Sequence, residues 1–219
     1  MTHTLCTTKR LLFVGLYLVS CSQKNGEIPT ELSNIEGDAE HAYDMALAED
    51  YVAAHDAALS IQTSWQTYRD VALADGATET VLTQLDDAIA NLLTVSEAGV
   101  RIDVGRAANA ISAPMPELFA LYNPSIPPAI LELDYEGRAI VLDGMEEDFA
   151  TSITDVENLS TTWNSIKQQV VDAGGTTEAA DFDASVQRLT DLAQGSDVAG
   201  LIEEANINLE LVDVLEGLF

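Results

Sequence analysis

Basic residues are scarce in this sequence of 219 residues. Nine lysines and arginines stand against 37 aspartates and glutamates, which gives a formal net charge of −28 at pH 7. A protein that tracks a phosphate backbone needs many cationic side chains, so this composition excludes nucleic acid as a partner. For the same reason it excludes adsorption to anionic lipid headgroups through basic residues.

Cysteine is nearly absent as well. Cys6 and Cys21 are the only two, too few for a disulfide scaffold, a multi-cysteine zinc site or an iron–sulfur cluster. The sequence also lacks a Ser/His/Asp order, a glycine-rich phosphate loop and an HExxH zinc motif. We therefore predict a protein that is not an enzyme and has no cofactor, and whose fold is held by packing alone.

The N-terminus carries a targeting pattern. Lys9 and Arg10 precede ten uncharged residues, 11–20, which would extend about 15 Å as a helix, half the thickness of a bilayer core. Such a segment is typical of a signal peptide. The residues Leu18-Val19-Ser20-Cys21 that end it resemble the lipobox of bacterial lipoproteins. An ordinary signal peptide with a chance cysteine is the alternative.

The resemblance implies that residues 1–20 are removed and that Cys21 is lipidated. Bacterial lipoproteins carry acyl chains on the thiol and on the new N-terminus, and several chains together anchor a protein firmly in a bilayer. The lipid bilayer is then the first partner, and the cell envelope is the location. Ser22 after the cysteine, in place of aspartate, favours the outer membrane. Residues 21–32 are predicted to be the lipidated cysteine and a flexible tether.

From Ser33 onward, apolar residues recur at the spacing of a helix. Between residues 38 and 74 the intervals are three and four, and no alternating strand pattern of useful length occurs. We predict an all-α fold with four long helices, at about 38–74, 78–113, 129–173 and 177–219. Five glycines are points where such long helices could kink: Gly99, Gly105, Gly137, Gly144 and Gly195.

The two halves of the helical region match each other. Glu49-Asp50-Tyr51 and Glu147-Asp148-Phe149 are 98 residues apart, and so are Trp65 and Trp163. We predict duplicated hairpins at about 33–122 and 129–219 that pack as one antiparallel four-helix bundle. Chance similarity between two amphipathic hairpins is the alternative.

Two sets of residues are candidate metal ligands. His41, Asp44 and Met45 lie at positions i, i+3 and i+4, so their side chains could converge on copper(I) or a haem iron. Asp50 and Asp148 precede aromatic residues of the apolar stripes, and both could clamp a cation if they pointed inward. Ordinary packing of Met45 and solvation of the acids are the alternatives.

Arg138 is the main candidate for ligand binding. It takes a position in an apolar stripe next to Tyr135, and Asp134 lies one turn back, where it could neutralise the guanidinium. We predict a cationic spot that holds a small carboxylate in a cavity lined by Tyr135 and by Trp65 or Trp163. A structural ion pair is the alternative.

These observations predict a membrane-anchored, extracytoplasmic helical lipoprotein. As a non-enzymatic module it would bind another envelope protein or act as a scaffold. The alternative is a small-molecule or cation binding protein with its site between the two hairpins.

Overall fold

The computed structural model describes residues 27–219. The predicted signal peptide and Cys21 lie outside the described residues. Within them the fold is all-α, as predicted, with nine helices and no strand. The helices are α1 (Thr30–Leu47), α2 (Tyr51–Asp75), α3 (Glu79–Ala98), α4 (Arg101–Ser112), α5 (Met115–Ala120), α6 (Pro128–Glu146), α7 (Phe149–Asp172), α8 (Thr176–Gly195) and α9 (Val198–Glu216).

Each of the four long helices expected from the sequence is divided into two shorter ones. The breaks fall between α1 and α2, α3 and α4, α6 and α7, and α8 and α9. The two members of each pair contact one another, so the chain reverses at these points instead of continuing. The expectation of four continuous helices was therefore wrong.

The reversals between α1 and α2 and between α6 and α7 have one local cause. Asp50 and Asp148 are N-caps: each carboxylate accepts a hydrogen bond from the backbone N–H three residues ahead, at 3.1 and 3.2 Å. Glu49 and Glu147, immediately before them, have φ angles of 62° and 58°. This left-handed conformation ends the preceding helix and turns the chain.

The first helix begins at Thr30, earlier than the expected start at about residue 38. Pro29 precedes it with a φ of −57°, close to the helical value that its ring imposes. The helix therefore takes in the last three residues that the sequence assigned to the tether.

Three of the five glycines lie within helices and permit close packing there. A Cβ atom at Gly137 would lie 2.7 Å from Leu209 Cδ2, and one at Gly144 would lie 2.8 Å from Ile202 Cγ1. These two glycines let α9 approach α6, while Gly105 lies against a leucine of α6. Helices α4 and α6 continue through Gly105, Gly137 and Gly144, so the chain does not break at these three glycines.

The helices pack in two groups of four. In the first helix group, α1 and α3 each contact α2 and α4; in the second helix group, α6 and α8 each contact α7 and α9. Buried apolar side chains between residues 32 and 122, together with Leu142, form the core of the first group. Buried apolar side chains between residues 130 and 215 form a second core. Helix α6 joins the two groups because it also contacts α4 and α5.

Both tryptophans are buried, as the sequence predicts, and each lies in a different core. Trp65 is 4% exposed and Trp163 is 1% exposed. Replacing either by alanine is expected to lower the free energy of unfolding by about 3–5 kcal/mol, through lost burial and the cavity left behind. Urea unfolding followed by circular dichroism measures this change. Val52→Ala, at a side chain 74% exposed, is the control and is expected to stay within about 0.5 kcal/mol. An unchanged unfolding midpoint in either tryptophan variant would contradict the assignment.

Candidate functional site

Helix α6 carries several ionisable side chains that are shielded from solvent. Asp143 is fully buried, Arg138 and Glu136 are 6% and 7% exposed, and Asp134 is largely covered. Charged side chains are seldom buried unless they are paired, because the loss of hydration is costly. Since α6 also joins the two helix groups, these residues define the candidate site.

The guanidinium of Arg138 is enclosed by groups from three helices. It pairs with Asp134 one turn back on α6, and Nη1 lies 3.4 Å from Oε1 of Glu40 on α1. Nη2 lies 3.5 Å from Oγ of Ser112, and the guanidinium carbon lies 5.8 Å from the ring centre of Tyr43. Arg138 Nε has no hydrogen-bond partner. The side chain therefore links α6 of the second helix group to α1 and α4 of the first.

Carboxyl groups outnumber the guanidinium in this cluster. Burial raises the pKa of Asp134 to about 7, against the opposing charge of Arg138. Burial also raises the pKa of Glu36, Glu40 and Glu216, and the charges of neighbouring carboxylates add to the effect. The cluster therefore retains protons at pH values where exposed carboxylates have lost them.

Glu136 is buried on the side of α6 that faces α7. Its Oε1 accepts a hydrogen bond of 3.1 Å from the hydroxyl of Thr162, whereas Oε2 has no partner. Burial, together with the charges of Glu132 and Asp155, raises the pKa of Glu136 to about 8, against the opposing effect of the hydrogen bond from Thr162. At neutral pH this residue is therefore mainly a neutral acid.

A second cluster lies where α4, α6 and α7 meet. Arg106 of α4 donates to Oδ1 of Asp143 at 2.7 Å and also pairs with Glu146. Oδ2 of Asp143 is buried and has no hydrogen-bond partner. Burial raises the pKa of Asp143, and the charge of Asp155 on α7 adds to the effect, against the opposing influence of Arg106. Burial also raises the pKa of Asp155.

The structure brings together two of the residues predicted to bind a ligand. Arg138 and Asp134 form the ion pair that was the structural alternative. Tyr135 is half-buried, and its electrostatic neighbours are Asp155 and Glu136, whose charges add to burial in raising its pKa. Tyr135 is therefore associated with the α4–α6–α7 cluster.

Trp65 and Trp163 do not line a common cavity. They lie in the separate cores of the two helix groups. Nε1 of Trp65 donates to Asp86 at 2.6 Å, and Nε1 of Trp163 donates to Asp183 at 2.7 Å. Each indole is thus held by packing and by one aspartate of the following helix.

The predicted metal ligands lie apart from these clusters. His41 and Asp44 are exposed, and Met45 is half-buried against the first core. Asp50 and Asp148 are exposed helix caps, so they do not point inward to clamp a cation, and solvation of these acids, the alternative, is confirmed. Among residues 27–219, no three His, Cys, Asp or Glu side chains are placed to hold a metal ion. The His41–Asp44–Met45 site stays a prediction.

Two open grooves lie on the outside of helix pairs. The α2–α3 groove has a volume of about 490 Å³ and is lined by Tyr51, Val52, His55 and Asp56 of α2 and by Glu97 and Gly99 at the end of α3. The α7–α8 groove has a volume of about 460 Å³ and includes Ile153 and Gln194 in its lining. Both are open surfaces on which part of another molecule could rest.

One serine–histidine contact lies at the α2–α3 groove. Nδ1 of His55 is 2.9 Å from Oγ of Ser96. The hydroxyl of Ser96 donates to the carbonyl of Leu93, and the residue is 3% exposed. Because Ser96 is covered, its hydroxyl is not placed as a nucleophile for a substrate in the groove.

No protein-family model, no curated protein sequence and no solved structure matches this chain. Over residues 27–219, none of the helices is both long enough and apolar enough to cross a membrane.

The sequence did not identify Glu136 and Asp143 as buried acids, or Asp155 as a half-buried one. A usable signal exists for the first two. They are seven residues apart, which places them on the same face of a helix. They also flank apolar residues of the stripe, where a charged side chain needs an explanation. Asp155 offers no such signal, because its burial depends on the approach of α6 to α7.

Glu136 makes the stability of the protein depend on pH. A buried acid with a raised pKa is protonated in the folded state over a range in which the unfolded chain has already released its proton. Stability therefore falls as pH rises from the unfolded pKa near 4 to the folded pKa of about 8. Glu136→Gln keeps the shape and removes the titration. We expect little change at pH 4 and a gain of about 5 kcal/mol at pH 9.

Chemical unfolding at a series of pH values measures this difference. Glu157→Gln is the matched control, since Glu157 is an exposed glutamate on α7 whose charge is not among those that shift the pKa of Glu136. It is expected to follow the wild type at each pH. A constant difference between Glu136→Gln and the wild type over pH 4–9 would show that the carboxyl group of Glu136 does not titrate as the structure indicates.

Proposed function

We propose that this protein is a lipid-anchored helical module of the cell envelope that binds another envelope protein and catalyses no reaction. Its anchor is the acylated Cys21, and the outer membrane is the favoured location. The observation that carries the binding role is apolar surface at the α2–α3 groove. Val52 is 74% exposed and Val100, next to Gly99 of the groove, is 50% exposed. Apolar side chains grouped on a surface favour contact with a partner.

The charges beside this groove define the chemistry of the partner. Asp56 and Glu97 are exposed acids in the lining, and Arg101, the nearest basic residue along the chain, pairs with Glu49. A partner segment that presents apolar side chains flanked by lysine or arginine would be complementary. The covered hydroxyl of Ser96 supports a binding role and argues against catalysis at this place.

The architecture we propose for this module is an internal duplication. Caps at Asp50 and Asp148 have φ and ψ angles that agree within 3°. Helices α1 to α4 follow one another in the same contact order as α6 to α9. This pattern supports duplicated hairpin pairs with four helices in each half, in place of four helices in total. A further correspondence is that one aspartate in each half contacts both a tryptophan and a basic residue. Asp86 contacts Trp65 and Arg69 in the first half. Asp183 contacts Trp163 and Lys167 in the second.

A second candidate function is cation binding between the two halves. One observation favours it: Oδ2 of Asp143 is fully buried and has no hydrogen-bond partner. A bound cation would neutralise this carboxylate. Thermal unfolding with calcium or magnesium at constant ionic strength tests this candidate. A saturable rise in melting temperature that is lost in Asp143→Asn would support it, and no rise beyond the effect of ionic strength would contradict it.

The anchor is tested by the mass of the protein extracted from membranes. We expect the wild type to begin at Cys21 and to carry acyl chains. Cys21→Ser is expected to lose all of them because no thiol remains at the processing site. Cys6→Ser is the control and is expected to be acylated normally, since Cys6 belongs to the segment that is removed. Recovery of the wild type as an unmodified chain would contradict the proposal.

Partner binding is tested with a synthetic amphipathic helix of alternating leucine and lysine blocks. Binding of the peptide is measured by fluorescence anisotropy. The salt concentration is about 0.15 M, because this ionic strength weakens nonspecific attraction to the acidic surface. Val52→Ser is expected to weaken binding about fivefold through the loss of apolar contact. Val71→Ser, at an exposed valine elsewhere on α2, is expected to leave it unchanged. Asp56→Asn should weaken binding, whereas Asp70→Asn should not.

Equal effects of the groove and control variants would show that the peptide follows the overall negative charge. That outcome would contradict a binding site in the α2–α3 groove. It would leave the acyl anchor unaffected, because the mass measurement tests the anchor separately.

A further inference from the structure

We propose that the partner segment of the α2–α3 groove is an amphipathic helix of about four turns, which lies along the groove from Val52 past Leu59 and ends at the Arg69–Asp86 ion pair. This inference rests on the proposed function, because it describes the partner of the same groove. It adds the secondary structure of the partner segment, its length and a second apolar contact, at Leu59.

Two contacts between side chains fix the register of α2 against α3. Nδ1 of His55 lies 2.9 Å from Oγ of Ser96, and Nε1 of Trp65 lies 2.6 Å from Oδ1 of Asp86. The same number of residues separates the two contacts on each helix, and the helices run in opposite directions. The groove between them is therefore straight over about 15 Å, a length on which a third helix can pack.

Val52 and Leu59 form an apolar wall of this groove on α2. They are seven residues apart, so their side chains lie on the same face of the helix. His55, between them in sequence, contacts Ser96 of α3, which places this face beside the line where the two helices meet. Val52 is 74% exposed and Leu59 is 44% exposed. Apolar residues at an interval of seven match the repeat by which one helix packs along another.

The second half of the chain indicates that the fold does not require apolar side chains on this face. Helix α7 follows an aspartate cap with the same backbone angles as the cap of α2. At the positions that correspond to Val52 and Leu59, α7 has Ala150 and Glu157, and both are exposed. The apolar wall of the α2–α3 groove therefore serves the surface and not the packing beneath it.

The charge at the open end of the groove favours a basic partner helix. Asp56 and Glu97 lie in the lining, and α3 ends beside them with no basic residue in its last turn. Both the carboxylates and the free carbonyl groups at the end of α3 attract a cation. A partner helix with lysine or arginine at this end is complementary, whereas a second copy of this chain, with a net charge of −28, is repelled.

An ion pair marks the other end of the groove. Nη2 of Arg69 lies 3.0 Å from Oδ2 of Asp86, and the two side chains are 33% and 39% exposed. The pair therefore bridges α2 and α3 at the surface, in the space that a partner helix would occupy. Helix α2 rises about 25 Å from Val52 to Arg69, which sets the length of the partner helix. Leu73, on the same face of α2, lies beyond the pair.

A peptide of six helical turns tests this arrangement on the full chain. Its leucines are spaced by seven residues and its remaining positions include lysine, and about 36 Å of helix is long enough to reach from Val52 to Leu73. Fluorescence anisotropy is measured in neutral detergent micelles, and empty micelles give a background that is the same for every variant.

Two leucines of matched exposure provide the variant and its control. Leu59→Ser is expected to weaken binding about fivefold, because an apolar contact within the groove is lost. Leu73 is 43% exposed and lies two heptads further along α2, beyond the ion pair. Leu73→Ser is expected to leave binding unchanged, although it makes the same chemical change in the same helix.

Proline in the peptide tests whether the partner binds as a helix. A proline at the centre of the peptide breaks the helix and is expected to weaken binding about tenfold or more. The same peptide with alanine at that position is the control and is expected to bind as the original does. An extended segment would tolerate the proline.

Four results would overturn the proposal. Leu59→Ser could bind as the wild type does while Val52→Ser stays weak; the proposed function would then stand without this inference, whereas loss of both effects would contradict the groove itself. Leu59→Ser and Leu73→Ser could weaken binding equally, which would contradict the assigned length. The proline peptide could bind undiminished. Finally, sedimentation without peptide could show a dimer that Leu59→Ser abolishes, which would assign the surface to a second copy.

Discussion

The scarcity of positive charge is the constraint on which this structure depends. The described residues contain 37 acidic side chains and six basic ones, and all six basic side chains form ion pairs. Each pair joins two helices or joins a helix to a turn. The six are Arg69, Arg101, Arg106, Arg138, Lys167 and Arg188. The chain thus uses its cations where helices meet, and the outer surface is left strongly acidic.

Helix α6 shows the consequence most clearly. It places buried carboxyl groups at Asp134, Glu136 and Asp143 and has one arginine of its own to balance them. Where guanidinium groups are too few, protons take their place, because a neutral acid is far less costly to bury than a carboxylate. The charge carried by α6 therefore depends on pH.

Several features of the fold could be predicted from local sequence. The all-α class follows from apolar residues at intervals of three and four, and the burial of both tryptophans follows from their place in those stripes. The reversals at Asp50 and Asp148 were missed although their signal was present. The same Glu-Asp-aromatic triplet was read as evidence of repetition and as a candidate cation clamp. An aspartate before a new helical segment is also a strong N-cap, and that is its role here.

The sequence by itself determined which residues lie in helices and which faces of those helices are apolar, because both depend on residues within a few positions of each other. It did not determine whether a stripe continues or turns back, since the periodic pattern is nearly the same on either side of a turn of two or three residues. Only the tertiary structure decided the states of Asp143 and Arg138. Their partners, Arg106, Asp155 and Glu40, come from other helices. Burial and charge pairing between distant parts of the chain are properties of the packed molecule.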